Sequence, residues 1–217
     1  MFKRLLFIAI TGVLFTSCGM FKSYVANYDV ALSTVESPAN AKAQFGDTKV
    51  VSFQEGATSK YRYEDDYIDI IWYVGLKEFN FTLKNKSNHT IKLNWDDISY
   101  VDYKGSVGRV MHSGVKYIDR NNSQPASTIP RGASITDVLI PTDNIYYVSG
   151  KYGGWNEKFL IPCSYSSKED FAAGANAYVG STMKIMMPIM IENVQNDYTF
   201  EFTVNSLLNP ELGNAKK

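Results

Sequence analysis

Tyr198-Thr199-Phe200-Glu201-Phe202-Thr203-Val204 alternates apolar and polar side chains without a break. Successive side chains of an extended chain point to opposite faces, so this spacing makes a strand with one buried and one wet face. A helix would instead place its apolar residues three and four apart. The same period of two recurs upstream. Phe79, Phe81 and Leu83 alternate with Asn80, Thr82 and Lys84, and Ile91, Leu93 and Trp95 alternate with Lys92 and Asn94. Strands buried on one side only belong to antiparallel sheets.

Turn chemistry separates these runs. Asn85-Lys86-Ser87-Asn88-His89 links the two upstream strands, and Lys104-Gly105-Ser106 turns Ile98–Tyr103 into Val107–Met111. Ile129-Pro130-Arg131-Gly132 introduces Ser134–Ile140, which Pro141 ends. Lys184–Glu192 and Tyr198–Val204 read as a hairpin across Asn193–Asp197. Helix is nearly absent: Ser167-Lys168-Glu169-Asp170 caps one short turn before Phe171-Ala172-Ala173, which Gly174 interrupts. Strands at short spacing without helical crossovers predict an all-β, antiparallel β-sandwich. We expect about eight or nine strands in an immunoglobulin-like arrangement, with a closed barrel as the alternative.

The N-terminus has a different character. Met1-Phe2-Lys3-Arg4 is a short positive start, Leu5 to Phe15 is apolar apart from Thr11 and Gly12, and Thr16-Ser17-Cys18-Gly19 follows. A charged start, a short apolar run and small residues define an export signal, and the run is too short to span a bilayer. The segment resembles the lipobox of bacterial lipoproteins, with Phe15 where that class usually has leucine. The resemblance covers residues 1–20. It implies that residues 1–17 are removed and that Cys18, the lipid attachment residue, becomes a diacylglyceryl cysteine holding the protein on a membrane. Two acyl chains suffice for stable anchoring. Gly19 in place of an aspartate implies, by the same resemblance, the outer membrane facing the periplasm.

The expected organisation is therefore a signal peptide (1–17), a lipidated tether (18–46), a β-sandwich domain (47–208) and a C-terminal tail (209–217). The 22 basic and 22 acidic side chains of the whole sequence balance, leaving a slight acidic excess once Lys3 and Arg4 depart with the signal. Such a chain has no electrostatic footprint for nucleic acid. Only two cysteines occur, so if Cys18 is lipidated Cys163 has no partner within the chain and is expected as a small packed side chain.

No phosphate loop, dinucleotide fingerprint, metal-ligand spacing or nucleophile elbow appears, so no catalytic residue, cofactor or metal site is expected. His89 and His112 read as ordinary loop residues. Glu64, Asp65, Asp66 and Asp69 form one acidic cluster and Asp96-Asp97 another, both expected as solvated turns that discourage edge pairing. Met183, Met186, Met187 and Met190 read as core filling. The most suggestive stretch is 144–155, where Tyr146, Tyr147, Tyr152 and Trp155 are interleaved with Gly150, Gly153 and Gly154. Glycines let a loop bend while aromatics present flat apolar faces, a surface for a protein partner or a glycan. Three functions follow in order of preference: a non-catalytic, membrane-anchored envelope lipoprotein that binds or scaffolds another protein; a glycan-binding module; and a hydrolase built on carboxylates.

Overall fold

The computed structural model describes residues 23–36, 49–55 and 58–214; the expected signal peptide and Cys18 lie outside the described residues. In chain order the strands are β1 (Tyr24–Val25), β2 (Tyr28–Glu36), β3 (Lys49–Glu55), β4 (Thr58–Glu64), β5 (Ile68–Val74) and β6 (Phe79–Asn85). They continue with β7 (Ile91–Leu93), β8 (Ser99–Val101), β9 (Val107–Met111), β10 (Ser127–Ile129) and β11 (Ser134–Pro141). The last are β12 (Ile145–Val148), β13 (Gly154–Glu157), β14 (Ser164–Tyr165), β15 (Thr182–Ile191) and β16 (Val194–Leu207). Beside four short 3-10 turns, the described residues include two short helices, α1 (Lys168–Gly174) and α2 (Glu211–Asn214), and none of their helices is long and apolar enough to cross a membrane.

The architecture is all-β, antiparallel and sandwich-like. One layer runs β3-β4-β5-β6-β11. The other is built on the β15–β16 hairpin, with β2 on the free side of β16 and β7 and β8 end to end along β15. The layers are not separate sheets. Strand β9 pairs with β8 through Ser99↔Arg109 and with β11 through Ile140↔Met111, so one sheet curls over to face itself. The sixteen strand segments exceed the eight or nine expected, because several have only two to four residues and carry no alternation to read.

The alternating runs behave as their period requires. Tyr198, Phe200, Phe202 and Val204 are buried and Thr199, Glu201 and Thr203 are not; Phe79, Phe81 and Leu83 likewise face inward. Trp72 of β5 is the centre of the core, its ring centroid 5.0 Å from Phe200 and 5.4 Å from Phe202 of the opposite layer. Large rings bury the most apolar area per residue, and tilted or edge contacts add to that burial. Met183 and Met187 fill the core as expected, whereas Met186 is exposed on the outer face.

Three boundaries shift from the sequence reading. The expected tether (18–46) contains β1 and β2, which are integral: β2 pairs along β16 from Thr199↔Glu36 to Leu207↔Tyr28, and β1 pairs with β14. An edge strand recruits any chain that offers matching backbone groups, a contact that composition does not reveal. The described part of the expected tail (209–217), residues 209–214, also docks. Asn209 accepts from the Asn27 N–H and donates to the Val25 carbonyl, and α2 packs against α1. These pieces cover a small second core of Ala26, Cys163, Phe171 and Ala175. Finally, the β15–β16 turn is tighter than Asn193–Asp197. Strand β16 resumes at Val194, which pairs with Ile191 across a two-residue turn in which Glu192 takes a φ of 55°. Ser167 caps α1 as its position suggests, accepting from the Asp170 N–H at 3.0 Å.

Candidate functional site

Strands β12 and β13 form a two-stranded sheet of their own, apart from the curled sheet. The loop between them needs its glycines. Gly150 has φ of +120°, and a Cβ on Gly153 would lie 2.1 Å from the Val148 carbonyl oxygen. All four aromatics singled out from the sequence are exposed: Tyr146, Tyr147, Trp155 and Tyr152, the last almost wholly so at 92%. The hairpin divides them. Tyr147 is the cross-strand partner of Trp155 and Tyr146 the partner of Asn156, so Tyr146 points to the opposite face from the Tyr147–Trp155 pair.

Trp155 is pinned although it is exposed. Tyr147 meets it edge-on at 5.4 Å, Tyr117 does so at 6.2 Å, and the Arg120 guanidinium lies over the indole at 5.2 Å. Arg120 is itself tied by a bond to the Tyr117 carbonyl at 2.9 Å. The Tyr117 hydroxyl donates to Glu157 of β13, and this bond is the main reason its acidity weakens to a pKa of about 12. Tyr117 and Arg120 were not legible as site residues, because they lie in an insert without periodicity between β9 and β10. Their types were the only signal, since Trp, Tyr and Arg together mark binding hot spots.

The other candidate chemistry is structural. Asp65, expected in a solvated turn, is buried and accepts from the Tyr63 and Tyr198 hydroxyls and from the Tyr67 and Ile68 N–H groups. It ties the β4–β5 turn to β16. Asp69 is gripped by both ends of the Arg62 guanidinium at 2.7 and 2.8 Å. Asp96 accepts from Ser123, from the Gln124 N–H and from Arg109. The Ser123 bond does most to hold its carboxyl below the ordinary carboxylate range, against some opposing desolvation. Asp97 accepts from Asn94. His89 is an exposed loop residue beside Glu192. His112 is more constrained than a loop residue: it stacks on Trp95 at 4.0 Å and 7° and sits 3.2 Å from Asp137. Cys163 is buried and unpaired, as expected, and burial pushes its thiol up to about 11. Among the described residues no three His, Cys, Asp or Glu side chains gather as a metal site.

The sequence matches no protein-family profile and no curated protein. One solved structure, titled as the X-ray structure of Northeast Structural Genomics Consortium target SoR45, covers 82% of this chain and 86% of its own at 13% identity. Its TM-score of 0.27 makes the likeness too remote to carry an argument.

Proposed function

We propose that this chain is a non-catalytic lipoprotein of the bacterial cell envelope, anchored through lipid on Cys18 in the outer membrane facing the periplasm, whose β12–β13 hairpin docks a protein partner. The observation that carries the reading is Trp155, exposed yet held between Tyr117, Tyr147 and Arg120. An anchor fixed before contact loses little rotamer entropy on binding, and Trp, Tyr and Arg dominate the energetics of protein interfaces. A flat sugar ring would want an open aromatic face. Here Arg120 covers one face of Trp155, and Tyr147 stands at 69° to it rather than coplanar. The non-catalytic reading is supported by the carboxylates, since Asp65, Asp69, Asp96 and Asp97 are all engaged in bonds that hold turns or neighbouring strands together.

The test is photocrosslinking in intact cells from a benzoylphenylalanine placed at Tyr152 in the full-length protein. The expected result is one reproducible protein adduct, lost in Cys18→Ala and strongly reduced by Trp155→Ala combined with Arg120→Ala. An adduct indifferent to Trp155 and Arg120, or none at all, overturns the docking assignment.

A further inference from the structure

Strand directions bring several segments together at one end of the sandwich. Strand β2 begins there at Tyr28, which pairs with Leu207 near the end of β16, and Ser59 lies there at the start of β4. Strand β5 arrives at Val74 and turns through Gly75 and Leu76. Past β16 the chain runs through Leu208, whose N–H donates to the Asn27 carbonyl at 2.7 Å. Among these segments lies a cleft of about 340 Å³. Its inner wall is apolar and buried, formed by Leu160, Ile161, Cys163 and Met183. Its rim is apolar and open: Leu76 is 52% exposed, Leu208 is 63% exposed, and Tyr73 is exposed beside them. Asp29 is the one charged side chain among the described residues that line the cleft, and its carboxylate already accepts from Asn205 at 3.2 Å.

Single exposed leucines are ordinary, but apolar side chains gathered around an apolar opening mark a contact surface. The course of the chain says what meets it. Asn27 lines the cleft and lies nine residues after Cys18. The described residues before Asn27 stay beside the cleft wall, since Ala26 donates its N–H to the Cys163 carbonyl at 2.7 Å and β1 pairs with β14 just beyond. The N-terminal chain therefore joins the fold at the end where the cleft opens. By contrast, β2 ends at Glu36 and β3 starts at Lys49 at the opposite end, where Lys49 pairs with Glu64 next to the β4–β5 turn. The β12–β13 hairpin contributes no side chain to the cleft.

We propose that this end of the sandwich is seated on the lipid bilayer, with Leu76 and Leu208 sunk into the boundary between headgroups and acyl chains and the cleft facing lipid. The inference rests on the anchoring through Cys18 proposed above and adds to it the face that the protein turns to the membrane. Apolar side chains at such an interface are buried by about 5–10 Å. The test attaches a nitroxide at Leu76→Cys or, in a second variant, at Leu208→Cys of the full-length lipoprotein in vesicles of phosphatidylethanolamine and phosphatidylglycerol. Cys163 is buried and stays unlabelled. Val194→Cys, exposed at the opposite end of β16, is the reference. Flotation with the vesicles reads the anchor, and relaxation by oxygen against a water-soluble nickel chelate reads the depth of each label. Labels at positions 76 and 208 are expected to lose collisions with nickel and gain them with oxygen, and the label at 194 to show the reverse. Adding Leu208→Glu to the Leu76→Cys protein should restore nickel collisions at position 76. Floating protein whose labels at 76 and 208 meet nickel as freely as the one at 194 overturns the seating and leaves the anchor standing. Protein that does not float overturns the anchor, and the seating with it. Dipolar broadening between labels at position 76 of neighbouring molecules assigns the rim to a second copy of the chain and also overturns the seating.

Discussion

Tyr198 donates its hydroxyl to Asp65 at 2.9 Å across a sequence separation of 133 residues, joining β16 to the β4–β5 turn in the opposite layer. The bond makes a single carboxylate the meeting point of both halves of the sandwich. Removing the acceptor would break its bonds from the Tyr63 and Tyr198 hydroxyls and from two backbone N–H groups. Asp65→Ala is therefore expected to cost about 3 kcal/mol or more and Tyr198→Phe about 1 kcal/mol, measured by urea unfolding. In the double variant the losses should fall short of additive, because the second change no longer breaks the Tyr198–Asp65 bond. Strict additivity would show that the bond contributes nothing to stability.

Alkaline pH probes the same region from the other side. Burial is the first cause that raises the pKa values of Tyr63, Tyr100 and Tyr198, with the Asp65 charge adding at Tyr63 and Tyr198. A group whose folded pKa lies above its unfolded value contributes stability that is complete below the unfolded pKa, near 10 for tyrosine, and declines as pH climbs beyond it. Absorbance at 295 nm should thus show no ionisation of these three near pH 10 while the fold is intact. These three should ionise only together with loss of the fold. Their ionisation near pH 10 while circular dichroism is unchanged would contradict the burial of these hydroxyls.

Cys163 should be unreactive. Its thiol is buried and its pKa sits at about 11, so little thiolate exists near neutrality and reagents cannot reach it. Ellman's reagent is expected to label one thiol per mature chain in denaturant and almost none in the native state. Fast native labelling would mean that the α1 and α2 cover over this site opens readily.

The proposed lipid on Cys18 makes a separate prediction. Metabolic labelling with tritiated palmitate should mark the parent and leave Cys18→Ala unlabelled and released from the membrane fraction. Label on the Cys18→Ala protein would remove the anchor from the proposal.

Much of the core was legible because period-two spacing forces side chains to alternate. Phe79, Phe81, Leu83, Phe200 and Phe202 all point where that spacing sends them. Strand β5 was harder, since Ile71 on its outer side interrupts the alternation of Ile68, Ile70 and Trp72. Strand β2 was missed as a sheet member because its value comes from the open edge of β16, a distant element. The exposed aromatics of the hairpin were legible by type, but Tyr117 and Arg120 reach Trp155 only through the fold. Asp65 illustrates the limit most clearly. Within Glu64-Asp65-Asp66 composition is uniform, and only the position of Tyr198 decides which carboxylate turns inward.

The early entry of the chain into the sheet sets a leash. The described residues begin at Ser23, five residues beyond Cys18, and five extended residues span at most about 18 Å. Under the proposed lipid on Cys18, that length would keep β1 and β2 close to the bilayer surface instead of swinging on a long stalk. Partners embedded in the same membrane would then be met at high effective concentration, and those on the far side of the compartment would be out of range.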